Sequence, residues 1–429
     1  MKFIKNLLFI FLSVVIFFYA FKKSNKNIFD DYYTIYFTIS ILILIFGIYF
    51  IFLKNETKNK IITVFFSTII SLYLVEGFAG YQYSSNWTKK IKEKKNYDKR
   101  SVFDAYISYK NKYSDLKFRL GPSHFRYDNE LLPLSTFSNS TIFVCNENGY
   151  YMTYKSDMYG FNNPNIEWNN KNQIMMIGDS FTEGNCVYEK YNIAGNLKQK
   201  LNTENIINLG MGGNGPLTNY ATIREYFFKV NPKFVLWFHY EGNDFDDLKK
   251  ELNSKILNKY LINENFTQKL ALKQKEIDTK LNKYLSVNEK NISRLSEQNK
   301  FDWSRFFKLY TLREQTVHTF FPKPHEVKDE FYLIINKAKE FTEKNNAEFY
   351  FVYLPQFHRY SSFYSFQNSK NYKKTLDFLK KNSINYIDIN KEIVEKVEDP
   401  LELFPFKSAG HFNEKGYEFV AETIYNNLK

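Results

Sequence analysis

Three long apolar runs open the chain, at residues 7–21, 32–53 and 61–75, and the third continues through Gly77, Phe78 and Ala79. Lys2 and Lys5 precede the first run, and Lys22 and Lys23 follow it. A helix needs about 20 mainly apolar residues to cross a bilayer, so the pattern predicts three transmembrane helices, the second run giving the firmest case. No small-x-small cleavage site follows the first run, which argues for a retained helix over a removed signal peptide. Glu76 falls near the end of the third run and reads as an interfacial residue, with a functional intramembrane carboxylate as the alternative. Residues 89–100 form a dense basic run. It reads as a solvated juxtamembrane linker, or as a contact for anionic headgroups if it faces the cytoplasm.

Beyond residue 100 the pattern changes. Residues 101–172 are aromatic and polar, with turn signals at Gly121-Pro122 and at residues 146–149 and 162–165. Two β-rich runs, residues 141–145 and 150–154, flank Asn146-Glu147-Asn148-Gly149 and predict a hairpin. This segment is expected to pack on the main sheet as an extension of it.

From residue 173 onward, short apolar strands alternate with helices. Strands are predicted at residues 174–177, 205–209, 233–240, 348–354 and 384–389, and helices at 191–201, 217–229, 326–345, 372–381 and 414–428. With right-handed crossovers this gives an α/β fold, a three-layer α/β/α sandwich around a mainly parallel five-stranded sheet. Residues 246–321 interrupt the alternation with a stretch rich in Lys, Glu, Asn and Leu, which predicts a helical insertion. Its charges read as a solvated face, with a lid over the cleft as the sharper alternative. The expected organisation is therefore an anchor at 1–80, a linker at 81–100, an entry segment at 101–172 and a catalytic domain at 173–429.

Charge and cysteine content narrow the chemistry. Lys and Arg exceed Asp and Glu by 59 to 46 over 429 residues, a formal charge of +13. The excess is lysine spread along the whole chain, without the basic cluster that a nucleic-acid surface needs. No Cys or His spacing resembles a zinc site, and no metal, nucleotide or other cofactor is implied. Cys145 and Cys186 are the two cysteines. They form a disulfide in an oxidising compartment or stand as two unpaired thiols.

The candidate chemistry lies at strand ends. Ile174-Met175-Met176-Ile177 runs straight into Gly178-Asp179-Ser180. That presents a serine at the carboxyl edge where open α/β sheets place their sites; a helix-capping serine is the plainer reading. The second strand runs into Gly210-Met211-Gly212-Gly213-Asn214-Gly215-Pro216, a loop whose backbone can approach a ligand closely. It lacks the following Lys-Ser/Thr and the spacing of nucleotide-binding loops. The third strand ends at Glu241-Gly242-Asn243-Asp244, where Asn243 can aim its side-chain NH₂ into the cleft. Of the six histidines, His411 alone sits in a glycine-flanked loop just before the last helix.

These four blocks, in this order, resemble the SGNH (GDSL) hydrolase family over roughly residues 173–429, with the insertion outside the match. The resemblance implies Ser180 as nucleophile and His411 as its base. It implies an oxyanion hole made by the Ser180 N–H, the Gly213 N–H and the Asn243 side chain, with Gly210 and Gly212 as alternatives to Gly213. Members usually carry an aspartate three residues before the histidine, where this chain has Ser408. Ser408, Asp399 and Glu402 are the candidates to orient His411 in its place. The implied function is a membrane-anchored serine esterase that removes an acyl group, acetyl in the first instance, from an envelope glycan or lipid. An O-acyltransferase would use the same residues. A non-catalytic glycan-binding protein and a membrane assembly component are the readings from other classes. An odd number of spans and the habit of similar membrane-tethered members place the catalytic domain outside the cytoplasm, whereas the lysine count mildly favours the reverse.

Overall fold

The computed structural model describes residues 2–24, 31–93, 97–164, 168, 173–293, 303–313, 325–361 and 365–428. Of the sequence expectations, these parts fall outside the described residues: 25–30 of the anchor, 94–96 of the basic run, 165–167 and 169–172 of the entry segment (Asn165 of the third turn among them), and 294–302 and 314–321 of the insertion. The chain divides into two compact units, Met1–Gln82 with Trp303–Arg313, and Tyr83–Asp302 with Glu314–Lys429.

The first unit begins with helices α1 (Lys2–Lys23), α2 (Asp31–Ile51) and α3 (Asn55–Glu93). α1 and α2 pack through aromatic rings, Phe9 against Phe46 and Phe50 and Phe17 against Phe37, with a pair of serines and a glycine between them. The Ser13 hydroxyl donates to the Ser40 carbonyl at 2.8 Å, and the Ser40 hydroxyl donates back to the Ser13 carbonyl at 3.1 Å. A side chain at Gly47 would begin 3.0 Å from the Ile10 nitrogen. Lys58 turns inward to donate to the Ile51 carbonyl and Asn6, closing the α2–α3 turn. Among the described residues, two helical stretches, Lys5–Lys22 and Asn55–Tyr81, are long and apolar enough to cross a membrane, where three were expected; the second run, expected to give the firmest span, yields only the shorter apolar stretch Tyr36–Ile51.

The second unit opens with α4 (Val102–Lys112) and is built on two sheets. The small one holds β1 (Leu116–Phe118), β2 (Thr141–Phe143) and β3 (Thr153–Lys155), in that order. β2 and β3 pair antiparallel, Ile142 opposite Tyr154. Val144 N–H to the Met152 carbonyl and Met152 N–H to the Cys145 carbonyl extend the pairing toward the tip at Glu147. The expected hairpin is present, with a shorter regular ladder than its β-rich sequence suggested.

The main sheet holds β4 (Ile174–Ile177), β5 (Ile206–Asn208), β6 (Phe234–Tyr240), β7 (Glu348–Leu354) and β8 (Asn385–Asp388), in the order β5-β4-β6-β7-β8. Every neighbouring pair is parallel. Side chains of a strand alternate between its faces, so each strand feeds two cores. Met175, Ile177, Val235, Trp237 and Phe351 pack on one face with α7 (Pro216–Val230), α12 (Asp329–Lys344) and α13 (Ser365–Lys381). Ile174, Met176, Leu236, Phe238 and Val352 pack on the other with α6 (Ile193–Leu201), α14 (Ile389–Lys396) and α15 (Glu414–Leu428). This is a three-layer α/β/α sandwich with five parallel strands. Ile142, Met152 and Tyr154 of the hairpin join the first core. So do Phe245, Ile256, Tyr260 and Ile277 of the insertion helices α8 (Asp244–Glu251), α9 (Lys255–Ile262) and α10 (Gln274–Ser293).

The chain leaves β4 for one side of the sheet at β5 and crosses to the other side at β6. Such a reversal opens a crevice at the carboxyl ends of the strands, and β4 ends at that crevice.

Candidate active site

The site begins where β4 stops. Gly178 has no room for a side chain, since a Cβ would fall 2.1 Å from the Thr182 hydroxyl oxygen and 3.0 Å from the Phe238 Cβ. Asp179 caps the short helix α5 (Ser180–Glu183), its carboxylate accepting the Phe181 N–H at 2.9 Å. Gly184, at φ 84°, ends the helix after one turn. Ser180 thereby opens a helical turn at the sheet edge. Burial, and then the charge of Asp244, push Asp179 up to about 8.

His411 meets this serine from the loop before α15. Its Nε2 lies 2.7 Å from the Ser180 Oγ. Its Nδ1 lies 3.0 and 3.1 Å from the two carboxylate oxygens of Glu147, and its backbone N–H donates to Glu147 Oε2 at 2.7 Å. Burial alone would lower the His411 pKa, but the charge and hydrogen bond of Glu147 outweigh it and the pKa is raised. Burial acts to raise the Glu147 pKa, yet the charge and hydrogen bonds of His411 hold it below the usual value. An ionised carboxylate only accepts hydrogen bonds, so Nδ1 carries the imidazole proton. Nε2 is then left to accept from the Ser180 hydroxyl.

Glu147 thus occupies the orienting position for which Ser408, Asp399 and Glu402 were the sequence candidates. The Ser408 hydroxyl donates to the Phe406 carbonyl at 3.3 Å. Asp399 accepts the Leu401 N–H and pairs with Lys407, and Glu402 pairs with Lys415. All three are drawn into bonds within residues 399–415. Glu147 escaped sequence reasoning because it sits at a hairpin tip 264 positions from His411, in what reads as an ordinary turn. One signal was available: had Cys145 been paired with Cys186, Glu147 would have been brought next to the Gly-Asp-Ser turn.

That pairing is present. Cys145 and Cys186 form a disulfide with Cα atoms 5.3 Å apart. The tip is pinned further by Asn148, whose amide donates to the Cys186 carbonyl at 3.0 Å, and by Asn146, whose amide donates to the Asp98 carbonyl at 2.8 Å. Glu147, Cys186 and His411 offer ligand atoms within 4.8 Å of one another. With the Cys186 sulfur in a disulfide the set lacks a thiolate, and the two donors that remain do not fit a closed metal site.

The glycine loop supplies the other half. The Gly210 N–H donates to Asn208 at 2.9 Å, and the Gly212 N–H to Glu183 Oε2 at 2.7 Å. Both are engaged. Gly213 adopts φ 82°, and its carbonyl accepts from Arg126 at 3.3 Å. Its N–H has no acceptor among the described residues. Glu183 organises this loop while also accepting from the Tyr154 hydroxyl at 3.0 Å and from Arg119 at 3.2 Å. Asn243 stands at the start of α8, in the capping position, without making a side-chain capping bond. Gly213 and Asn243 therefore follow β5 and β6, the strands on either side of β4.

No family model matches the chain, and no curated protein matches it by sequence. Solved structures do. One similar chain is described as a putative lipolytic protein of the G-D-S-L family from Desulfitobacterium hafniense, at 15% identity and TM-score 0.34, covering 60% of this chain and 99% of that one. A putative acylhydrolase from Bacteroides fragilis is similar at 12% identity and TM-score 0.33, covering 60% of this chain and 87% of that one. An acetyl xylan esterase is similar at 13% identity and TM-score 0.30, covering 60% of this chain and all of that one (100%).

Proposed function

We propose that this protein is a membrane-anchored serine esterase whose catalytic triad is Ser180, His411 and Glu147. The observation that carries the reading is the continuous chain from the Ser180 hydroxyl through both nitrogens of His411 to the Glu147 carboxylate. A serine hydroxyl is a weak nucleophile until an adjacent base takes its proton. In this reading His411 Nε2 takes it as Oγ attacks the ester carbonyl. Glu147 stays ionised and stabilises the imidazolium that forms. The Ser180 and Gly213 N–H groups and the Asn243 side-chain NH₂ receive the tetrahedral oxyanion; losing one such donor costs about 10²–10³ in rate. The C–O bond to the alcohol then breaks as His411 returns the proton to the leaving alkoxide. Water, deprotonated by the same histidine, attacks the acyl-enzyme and releases the acid.

The substrate side is an acyl ester, acetyl in the first instance, on an envelope glycan or lipid. The apolar helices Lys5–Lys22 and Asn55–Tyr81 support anchoring at a membrane. The disulfide supports an extracytoplasmic catalytic unit, since such bonds persist in oxidising compartments.

The test is turnover of p-nitrophenyl acetate and butyrate by the full chain in detergent micelles, with fluorophosphonate labelling of the active serine. Ser180→Ala is expected to abolish both signals, and His411→Ala to reduce both by at least about 10³. A folded wild-type chain that neither turns over nor labels would sink the proposal.

A further inference from the structure

The first unit contains a carboxylate in an unusual place. Across the apolar part of α3, from residue 61 to residue 81, Glu76 is the one charged residue. It is also buried, only 3% exposed, although the helix around it is bare of protein: Val64, Ile70, Leu74 and Phe78 are each more than half exposed. A carboxylate withdrawn from water needs hydrogen-bond donors. Glu76 finds two in the backbone of a distant segment, the Thr311 N–H at 2.9 Å and the Leu312 N–H at 2.8 Å.

That segment, Trp303–Arg313, lies in the sequence between β6 and β7 yet belongs to the first unit. It begins with the short helix α11 (Trp303–Phe307). One face of α3 receives it. The Tyr73 hydroxyl donates to the Phe307 carbonyl at 3.1 Å, and the Tyr73 ring lies 5.4 Å from that of Phe306. Phe306 lies over Gly77, its ring 3.8 Å from where a Cβ would stand, an ordinary packing distance. Tyr73, Glu76 and Gly77 are spaced i, i+3, i+4, so they share that face.

The rest of the segment is turned outward. Trp303 is 62% and Phe307 63% exposed, and their rings stack at 5.9 Å. Arg305, Lys308 and Arg313 are exposed as well, the two guanidinium groups lying over the Tyr310 ring at 4.7 and 5.6 Å, and no acidic residue falls within the segment. Glu76 is five positions from Tyr81, where the apolar stretch ends. That is about 7.5 Å along the helix at ~1.5 Å per residue, the depth of a bilayer's headgroup boundary. Trp beside Phe, with basic groups able to reach outward, is the composition that settles at that boundary.

We propose that Trp303–Arg313 is a second lipid-binding element, lying in the headgroup–acyl boundary of the bilayer and held on α3 by Glu76. The occupant of its outward face is phospholipid: the exposed aromatic surface continues the lipid-facing surface of α3, and its basic residues suit anionic headgroups. The chain is thereby attached to the membrane at a point within the hydrolase sequence as well as at its amino-terminal helices. This inference rests on the membrane-anchored reading above and is independent of the catalytic one.

The experiment uses the full chain reconstituted in vesicles of dibrominated phosphatidylcholine with phosphatidylglycerol, and reads bromine quenching of tryptophan fluorescence. The wild type is expected to show a bromine-quenched component that Trp303→Phe lacks. Adding Phe307→Trp to Trp303→Phe is expected to restore it. Equal fractional quenching in all three, with each floating with the vesicles, would overturn the inference while leaving the anchoring intact. A wild-type chain that does not float would overturn the anchoring and this inference with it.

Discussion

Replacing Glu147 by glutamine keeps the side chain's size and removes its charge. In the proposed mechanism the imidazolium forms on His411 with Nδ1 3.0 Å from the nearer Glu147 carboxylate oxygen. Two unit charges about 4 Å apart interact by about 4 kcal/mol at an effective dielectric of ~20. The Glu147 side chain is 30% exposed, so water screens part of this. A loss of about 3–4 kcal/mol in transition-state stabilisation corresponds to roughly 10²–10³ in kcat/KM, at 1.36 kcal/mol per factor of ten. The amide also has one acceptor where the carboxylate has two, so it cannot serve both the backbone N–H and Nδ1–H of His411 equally. The pH dependence separates this from simple structural damage. The proposed mechanism needs neutral His411, so activity is expected to fall as pH drops through its pKa. Glu147 raises that pKa against the opposing effect of burial. The wild-type acid limb is therefore expected above the ordinary histidine value of about 6.5. In Glu147→Gln burial prevails, and the limb is expected to move below about 6.5. The assay is kcat/KM for p-nitrophenyl acetate across pH, alongside thermal unfolding. A folded Glu147→Gln within about threefold of wild type, with its acid limb unmoved, would refute the triad.

Two further outcomes follow from the same geometry. The disulfide closes a loop across 41 positions and fixes the hairpin tip beside the nucleophile. Cys145→Ser with Cys186→Ser is expected to lower stability by about 2–4 kcal/mol and to slow fluorophosphonate labelling of Ser180, checked by thermal unfolding and labelling kinetics; unchanged labelling would show that Glu147 is held without it. Glu183 is fully buried and accepts from Gly212, Tyr154 and Arg119. Glu183→Ala leaves those donors unpaired and is expected to cost about 3–5 kcal/mol of stability, with Glu183→Gln costing less; equal melting temperatures for Glu183→Ala and wild type would contradict this.

Much of the fold was legible because its pattern is local. Short, wholly apolar strands between helices can only be buried between two layers, and β4 through β8 lie at or within two residues of their expected positions. Ser180, Gly213 and Asn243 could be singled out for the same reason, since each lies in a loop where an apolar strand ends, and His411 because it alone of the histidines sits in a glycine-flanked loop before the last helix. Glu147 carried no such mark. A carboxylate in an Asn-Glu-Asn-Gly turn looks solvated until the chain that passes it is known.

The sequence by itself therefore determined the layers, the strand ends and the membrane-length helices, since each follows from side-chain periodicity within a few turns of chain. Tertiary structure decided the rest. It chose Glu147 over Ser408, Asp399 and Glu402, joined Cys145 to Cys186, engaged Gly210 and Gly212 elsewhere, and buried Glu76 against residues 311–312. All of these are contacts between polar groups far apart in the chain or held by a particular loop shape. A polar side chain's partner depends on which donors and charges the finished fold places within about 3 Å of it, and no local periodicity encodes that distance.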